Sequence, residues 1–467
     1  MIFKMTILLF TAALFFPVHA WNDPPVLSNY IAEAMKNNLN LQKEKFKLRA
    51  DEAKITEVKG AYLPTLSVSY RLTRAYGGRT ISFPAGEILN PVYSNLNILN
   101  QGMLPAGAVK QYPQISNVQL HIQPERDQDA GLALVQPLFM PQIAYSVKAA
   151  RFGLEAQKNI VNSTKRELIF KIRSAYFTYC KALNALSIYM AAMNKARENF
   201  RVTKSLVSAG KLPEYTISAA EADTLTAVQQ IMESRLQLDN ARSMFNLLIG
   251  KAIDSEILPL DPDSLKTVLN AVPDNFEVND TSFLVEKREE VGSLISAVKA
   301  QNELASAEKS TFLPTVAAKA EGGYVGDQSK LLDNNKYGIV SIVCNWDLFT
   351  GFKRSAALNG KMSERAALEK QLQETRLQIA FQIRNAAQSY NTSRKNLAAA
   401  KERLAAAEKN FQAVSSAYKL GGATQNDLIS AQTLLTQAQI NLNLVSYDIL
   451  IRASEYFYAT ASDKLDE

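Results

Sequence analysis

The chain has 467 residues, 47% of them hydrophobic and 21% charged, with a formal net charge of +7. That apolar content excludes an intrinsically disordered chain. Basic residues are interspersed with acidic ones, which argues against a nucleic-acid surface, and the 2 histidines (one of them, His19, in a removable leader) exclude most histidine metal sites and triads.

Lys4, the apolar run Met5 to Phe16 and the segment Pro17 to Ala20 read as a signal peptide, residues 1–20, cleaved after Ala20. The run is shorter than the roughly 20 apolar residues that span a bilayer, and no longer one follows. The mature chain is therefore expected to be either soluble outside the cytoplasm or a β-barrel, the other fold that satisfies its backbone in lipid.

Residues 21–250 form a first repeat. A helix is expected over 27–60 and a strand over about 63–72, where Leu66, Val68, Tyr70 and Leu72 alternate with Ser67, Ser69 and Arg71. Residues 73–130, holding Pro84, Pro91, Pro105, Pro113 and Pro124 among Gly and Asn, read as a long surface loop. A second strand over about 131–138 leads into a proline-free helix over about 142–209, followed by Gly210-Lys211-Leu212-Pro213 and a helix over 214–249. Residues 251–282, with Pro259, Pro262 and Pro273, form a linker.

Residues 283–467 repeat the pattern: a helix at 283–311, strands at about 313–325 and 337–347, a long helix at about 355–420, the turn Gly421-Gly422-Ala423-Thr424, and a helix at 425–461. The duplication shows in Tyr62-Leu63-Pro64-Thr65 against Phe312-Leu313-Pro314-Thr315 and in Phe170-Lys171-Ile172-Arg173 against Phe381-Gln382-Ile383-Arg384. Ile172, Tyr179, Leu186, Met193, Phe200 and Val207 recur every seven residues, as do Ile383, Tyr390, Leu397, Leu404, Phe411 and Tyr418. Sustained heptads mean helices packed as coiled coils. At 1.5 Å per residue each long helix runs roughly 100 Å, matched by two shorter helices end to end. Both glycine turns are then expected at the same far end. Four strands cannot close a pore, since closed bacterial barrels start at about eight, so partner strands must come from other copies.

This duplicated order of helix, strand, strand, long helix, turn and helix resembles the TolC family of outer-membrane efflux proteins over essentially the whole mature chain. Asn37-Asn38 with Leu41, Tyr62-Leu63-Pro64 and Pro137-Leu138-Phe139 are similar to its local motifs, and Arg288-Glu289-Glu290-Val291 resembles its Arg-Pro-Glu stretch with Glu289 in place of Pro. The resemblance implies a mainly α fold with a small β part: a homotrimer with a twelve-stranded β-barrel in outer-membrane lipid, continuous with a periplasmic α-helical barrel. It implies a passive exit duct without enzymatic activity, catalytic residues, cofactor, metal or nucleic-acid partner. A periplasmic adaptor (membrane fusion protein) and an inner-membrane transporter are the implied partners, the adaptor docking at Gly210, Lys211 and Leu212 and at Gly421, Gly422 and Ala423.

Asp427, just beyond the second turn, corresponds to an acidic constriction ring in the family; the plainer reading is a helix-terminal acid. Ser430 stands where the family carries a second acid, and Thr216 is the matching position in the first half, with Glu214 nearby. Cys180 and Cys344 fall too far apart along this arrangement for a disulfide. The alternatives are the outer channel of a type I protein-secretion system, a non-pore periplasmic coiled-coil scaffold and, more remotely, a secreted hydrolase.

Overall fold

The computed structural model describes residues 23–103, 105, 110–122, 126–278, 280–326, 336–463 and 465, so the leader lies outside the described residues. The chain divides into two compact units: Thr56–Val147 with Ser306–Leu358, and the remainder, comprising the chain to Ile55, Lys148–Ala305 and Asn359 onward.

The first unit carries the strands. β1 (Thr65–Arg74), β4 (Arg126–Phe139), β5 (Thr315–Gly326) and β6 (Lys336–Asn345) form an antiparallel sheet in the order β1-β4-β5-β6. The period-two alternation fixes its register, because a slip of one residue would move every apolar side chain to the other face. Register shifts once, at Pro137/Phe139, where proline has no N–H for the ladder. β1 and β6 are the edges of this sheet.

Residues 73–130 are not a simple loop, which corrects the sequence reading. They contain β2 (Thr80–Phe83), α3 (Ala85–Met103) and β3 (Val118–His121), with β2 and β3 paired as a separate ribbon. Pro91 lies inside α3, at a cost in backbone hydrogen bonding. Side-chain amides hold the helix in place. Asn90 exchanges two hydrogen bonds with the backbone of Ile115 (2.8 and 3.0 Å), and Asn97 does the same with Tyr112 (2.8 and 2.9 Å). Tyr93 stacks on Tyr112, and a side chain at Gly86 would collide with the Ile115 carbonyl.

The helical unit is dominated by α4 (Pro141–Ser208, 68 residues) and α9 (Lys353–Lys419, 67 residues), each following a strand in the chain. The shorter helices are α1 (Pro25–Asn37), α2 (Leu39–Gly60), α5 (Tyr215–Ile249), α6 (Pro262–Ala271), α7 (Ser282–Glu286), α8 (Glu289–Ser310) and α10 (Gln425–Ala459). Of the heptad residues, Ile172, Tyr179, Ile383, Tyr390, Leu397 and Tyr418 are buried and none is exposed. Ile172, Tyr179, Tyr390 and Leu397 join Leu27, Leu41, Phe245, Ile249 and Leu450 in the main core, and Ile383 sits in a second cluster with Val285 and Val291.

The helix expected over 27–60 is broken at Asn38. Its side-chain oxygen accepts from the Leu41 amide (3.0 Å), starting α2, while its nitrogen donates to the Leu248 carbonyl (3.0 Å). This explains the Asn37-Asn38…Leu41 motif: cap, clip to α5 and core residue. Arg288 pairs with Glu290 (2.7 Å) and donates to the carbonyls of Tyr458 and Ala459, tying the start of the second repeat to the end of α10. Arg173 binds Asp23 and Asp463, both at 2.7 Å, fastening both ends of the described chain to α4.

Candidate channel-forming sheet and helical turns

The sheet has one apolar face and one polar face. Leu66, Val68, Tyr70 and Leu72 on β1 share a face with Leu132 and Leu134 on β4 and with Val340 and Ile342 on β6. All are exposed, Val68 by 78% and Val340 by 84%. The opposite face carries Ser67, Ser69, the pair Arg71–Asp129 (3.0 Å) and the pair Lys319–Glu321, although Ile339 and Val343 interrupt it on β6. Tyr337 covers Gly131 and Gly323 on this polar face. At the helix-proximal end, Tyr62, Phe312 and Trp346 are exposed aromatics, and the Trp346 indole N–H donates to the Phe312 carbonyl (3.1 Å). An exposed apolar face edged by aromatics is a surface made for lipid.

Both long helices end in the same way. Gly210 and Gly421 adopt positive φ, +70° and +78°. The next amide reaches back five residues, Lys211 to the Leu206 carbonyl (2.9 Å) and Gly422 to the Ala417 carbonyl (2.8 Å). Only glycine enters this conformation without strain, so the caps follow from the residue type. Lys211, Gly421 and Gly422 are exposed; Leu212 and Ala423 are half-buried. The two turns lie at the same end of the helical unit. Thr203, Tyr418 and Gln425 form one buried hydrogen-bonded cluster joining α4, α9 and α10 just behind them.

Asp427 sits at the third position of α10 in a reciprocal cap: its carboxylate accepts from the Thr424 amide (2.9 Å) and hydroxyl (2.7 Å), while its own amide donates to the Thr424 hydroxyl. The hydroxyl contact, then the amide, hold the carboxyl below its ordinary range, so it is anionic at neutral pH. Asp427 and Ser430 are both exposed and line one cleft with Gly422 and Ala423. Thr216 is different: it is buried, and its hydroxyl donates to the Pro213 carbonyl (2.6 Å).

Sequence reasoning passed over Asp223 on α5. It lies in a groove of about 460 Å³ with Tyr189, Arg403 and Gln432, and burial pushes its carboxyl above the usual range. An acid on a polar helix carries no signal of this in the sequence. Cys180 is buried and Cys344 exposed, both free thiols, and burial raises Cys180 to about 11. Among the described residues, no group of acidic, histidine and cysteine side chains could hold a metal ion, and no helix is long and apolar enough to cross a membrane.

The outer membrane efflux protein family model matches residues 30–251 and 284–455, leaving between them the segment that joins the two halves. The chain belongs to this family. The outer membrane efflux protein BepC of Brucella suis biovar 1 (strain 1330) is 21% identical to this efflux protein over 449 residues, spanning 94% of this chain and 86% of that one. The outer membrane protein TolC of Escherichia coli (strain K12) is 20% identical over 338 residues, 69% of this chain and 67% of that one. The solved structure of CusC aligns over 94% of this chain and 93% of that one with a TM-score of 0.76 at 14% identity, a likeness of fold. The efflux protein therefore has the mainly α fold with a small β part that its resemblance to the TolC family implied, and its place is the outer membrane.

Proposed function

We propose that this efflux protein works as a homotrimeric exit duct. The β1 edge of each copy pairs with the β6 edge of the next, and three four-stranded sheets supply twelve strands, an even number above the minimum of about eight. The apolar face of Leu66, Val68, Leu132 and Val340 meets lipid, and the face of Arg71, Asp129, Lys319 and Glu321 lines the pore. The sheet carries this reading: it has two open edges and an exposed apolar face, and an isolated copy satisfies neither.

The helical unit extends into the periplasm. The turns at Gly210, Lys211 and Leu212 and at Gly421, Gly422 and Ala423 present glycine backbone, the exposed Lys211 side chain and the small Ala423 to a periplasmic adaptor, which couples the duct to an inner-membrane transporter. Three copies of Asp427, with Ser430 one turn on, narrow the tip and favour cations, and Thr216 serves by closing its own turn. The chain conducts passively and catalyses no reaction.

The test is purification of the mature chain, native mass determination and reconstitution into planar bilayers. A trimer that needs detergent and conducts ions after reconstitution is expected. A water-soluble monomer, or a trimer that washes off membranes without detergent, would overturn the reading in favour of a periplasmic scaffold.

A further inference from the structure

The insertion between β1 and β4 contains a helix unsuited to water. α3 spans 19 residues and carries a single charge, Glu87. One side is spoken for: Asn90, Tyr93, Ser94, Asn97 and Asn100 are half-buried against residues 110–117. Along the flank beside it Leu89, Val92, Leu96, Leu99 and Met103 are all exposed, and Ile88 and Ile98 are exposed off that line. The spacing along the line alternates three and four, which is the heptad seam of a coiled coil. The amide ladder makes the helix a preformed element, so its ordering cost is met before any partner arrives.

The position of the insertion identifies the partner. Arg74 and Arg126 face each other at the end of the β1–β4 ladder away from the helices, and the insertion leaves the sheet there. β1 is also an edge of the sheet, the one that the trimeric reading pairs with the next copy. Threefold symmetry brings three identical α3 helices to one mouth. Twelve strands at about 4.8 Å spacing, tilted about 40°, enclose a ring about 25 Å wide between backbones. Three helices, each about 10 Å thick, span about 20 Å when bundled.

We infer that α3 is a self-association helix, and that three copies pack their Leu89–Val92–Leu96–Leu99–Met103 seams into a three-helix bundle across the outer mouth. The inference rests on the trimeric reading above and extends it: the duct carries its own outer cover, distinct from the constriction at the glycine turns. Opening this cover separates three apolar seams, so passage through the mouth and assembly of the insertion are coupled.

The experiment uses the full chain with Cys344→Ser, which removes the exposed native thiol. Leu99→Cys on the seam and Gln101→Cys on the exposed flank of the ladder side are introduced separately. The protein is reconstituted with brominated phospholipid and oxidised with copper phenanthroline. Native mass is recorded for each variant. We expect Leu99→Cys to give a covalent dimer inside an intact threefold assembly, Gln101→Cys to stay monomeric on denaturing gels, and a bimane label at position 99 to escape quenching by the lipid. An intact trimer in which Leu99→Cys does not cross-link, or cross-links no better than Gln101→Cys, overturns the inference and leaves the duct standing. Strong quenching by brominated lipid overturns it in favour of a helix lying on the membrane. Loss of the threefold mass in the Cys344→Ser parent overturns the duct and the cover together.

Discussion

The guanidinium of Arg166 on α4 grips the carboxylate of Glu289 at the first position of α8, with Nη2 2.6 Å and Nε 3.0 Å from its oxygens, and the side chains are only 6% and 11% exposed. The TolC-like pattern has proline at this place, a residue suited to the first turn of a helix. Here an acid occupies it and needs a buried cation. Removing one partner of a buried pair strands the other, at a cost of about 3–5 kcal/mol. Arg166→Met should lower stability by that order in denaturant unfolding of the detergent-solubilised protein. Adding Glu289→Pro should restore most of the loss, because the stranded charge goes and the helix start is kept. A double variant no more stable than the single one would mean that the pair is not the source.

Asp223 gives a pH dependence of the opposite sense to that of an ordinary paired acid. Burial in the groove beside Tyr189 and Gln432 raises its carboxyl above the usual value. The folded state then binds the proton more tightly than the unfolded state does, so this group's contribution to stability falls as pH rises from the unfolded value through the raised one. Asp223→Asn removes the penalty. The variant should be more stable than the parent at pH 7, with the difference fading as pH drops through and below the ordinary carboxylate range. Paired melts across pH 3–8 check this; a constant difference would sink it.

What the sequence revealed and what it hid divide along the range of the interactions. The long helices were legible because Ile172, Tyr179, Ile383 and Tyr390 recur locally at heptad spacing, and the turns were legible because Gly210 and Gly421 need positive φ. β1 was legible through its alternation. α3 was hidden because Pro91 and four asparagines read as a loop, whereas its stability comes from amides reaching residues 15 and 25 positions away. The Arg166–Glu289 pair spans 123 residues and leaves no local trace. The break at Asn38 likewise depends on Leu248, across the helical unit.

Two strand glycines should behave differently. A Cβ at Gly323 would lie 2.5 Å from the Ala130 carbonyl and 3.1 Å from the Tyr337 ring, so backbone would have to move. A Cβ at Gly338 meets nothing within 4 Å. Gly323→Ala should therefore lower the temperature at which the folded band is lost on unheated denaturing gels, and Gly338→Ala should leave it unchanged. Equal behaviour of the two would show that the β4–β5 approach is looser than the register implies.

The tip holds two roles that substitutions can separate. Asp427 caps α10 through Thr424 and also presents a negative charge at the proposed constriction. Asn retains an oxygen that can accept from the Thr424 amide but carries no charge. Asp427→Asn should reduce cation selectivity in bilayers with little change in thermal stability, whereas Thr424→Ala should loosen the helix start and leave the charge. Gly422 is not in the left-handed region, and a Cβ there meets only Ala417, its carbonyl at 3.6 Å and its Cβ at 3.9 Å, both ordinary contacts. Gly422→Ala should thus leave folding intact, and Gly422→Trp on this exposed turn should keep the trimer while abolishing efflux in a strain that supplies the adaptor and transporter. Normal efflux by that variant would remove this turn from the docking surface and leave the Gly210 turn to carry it.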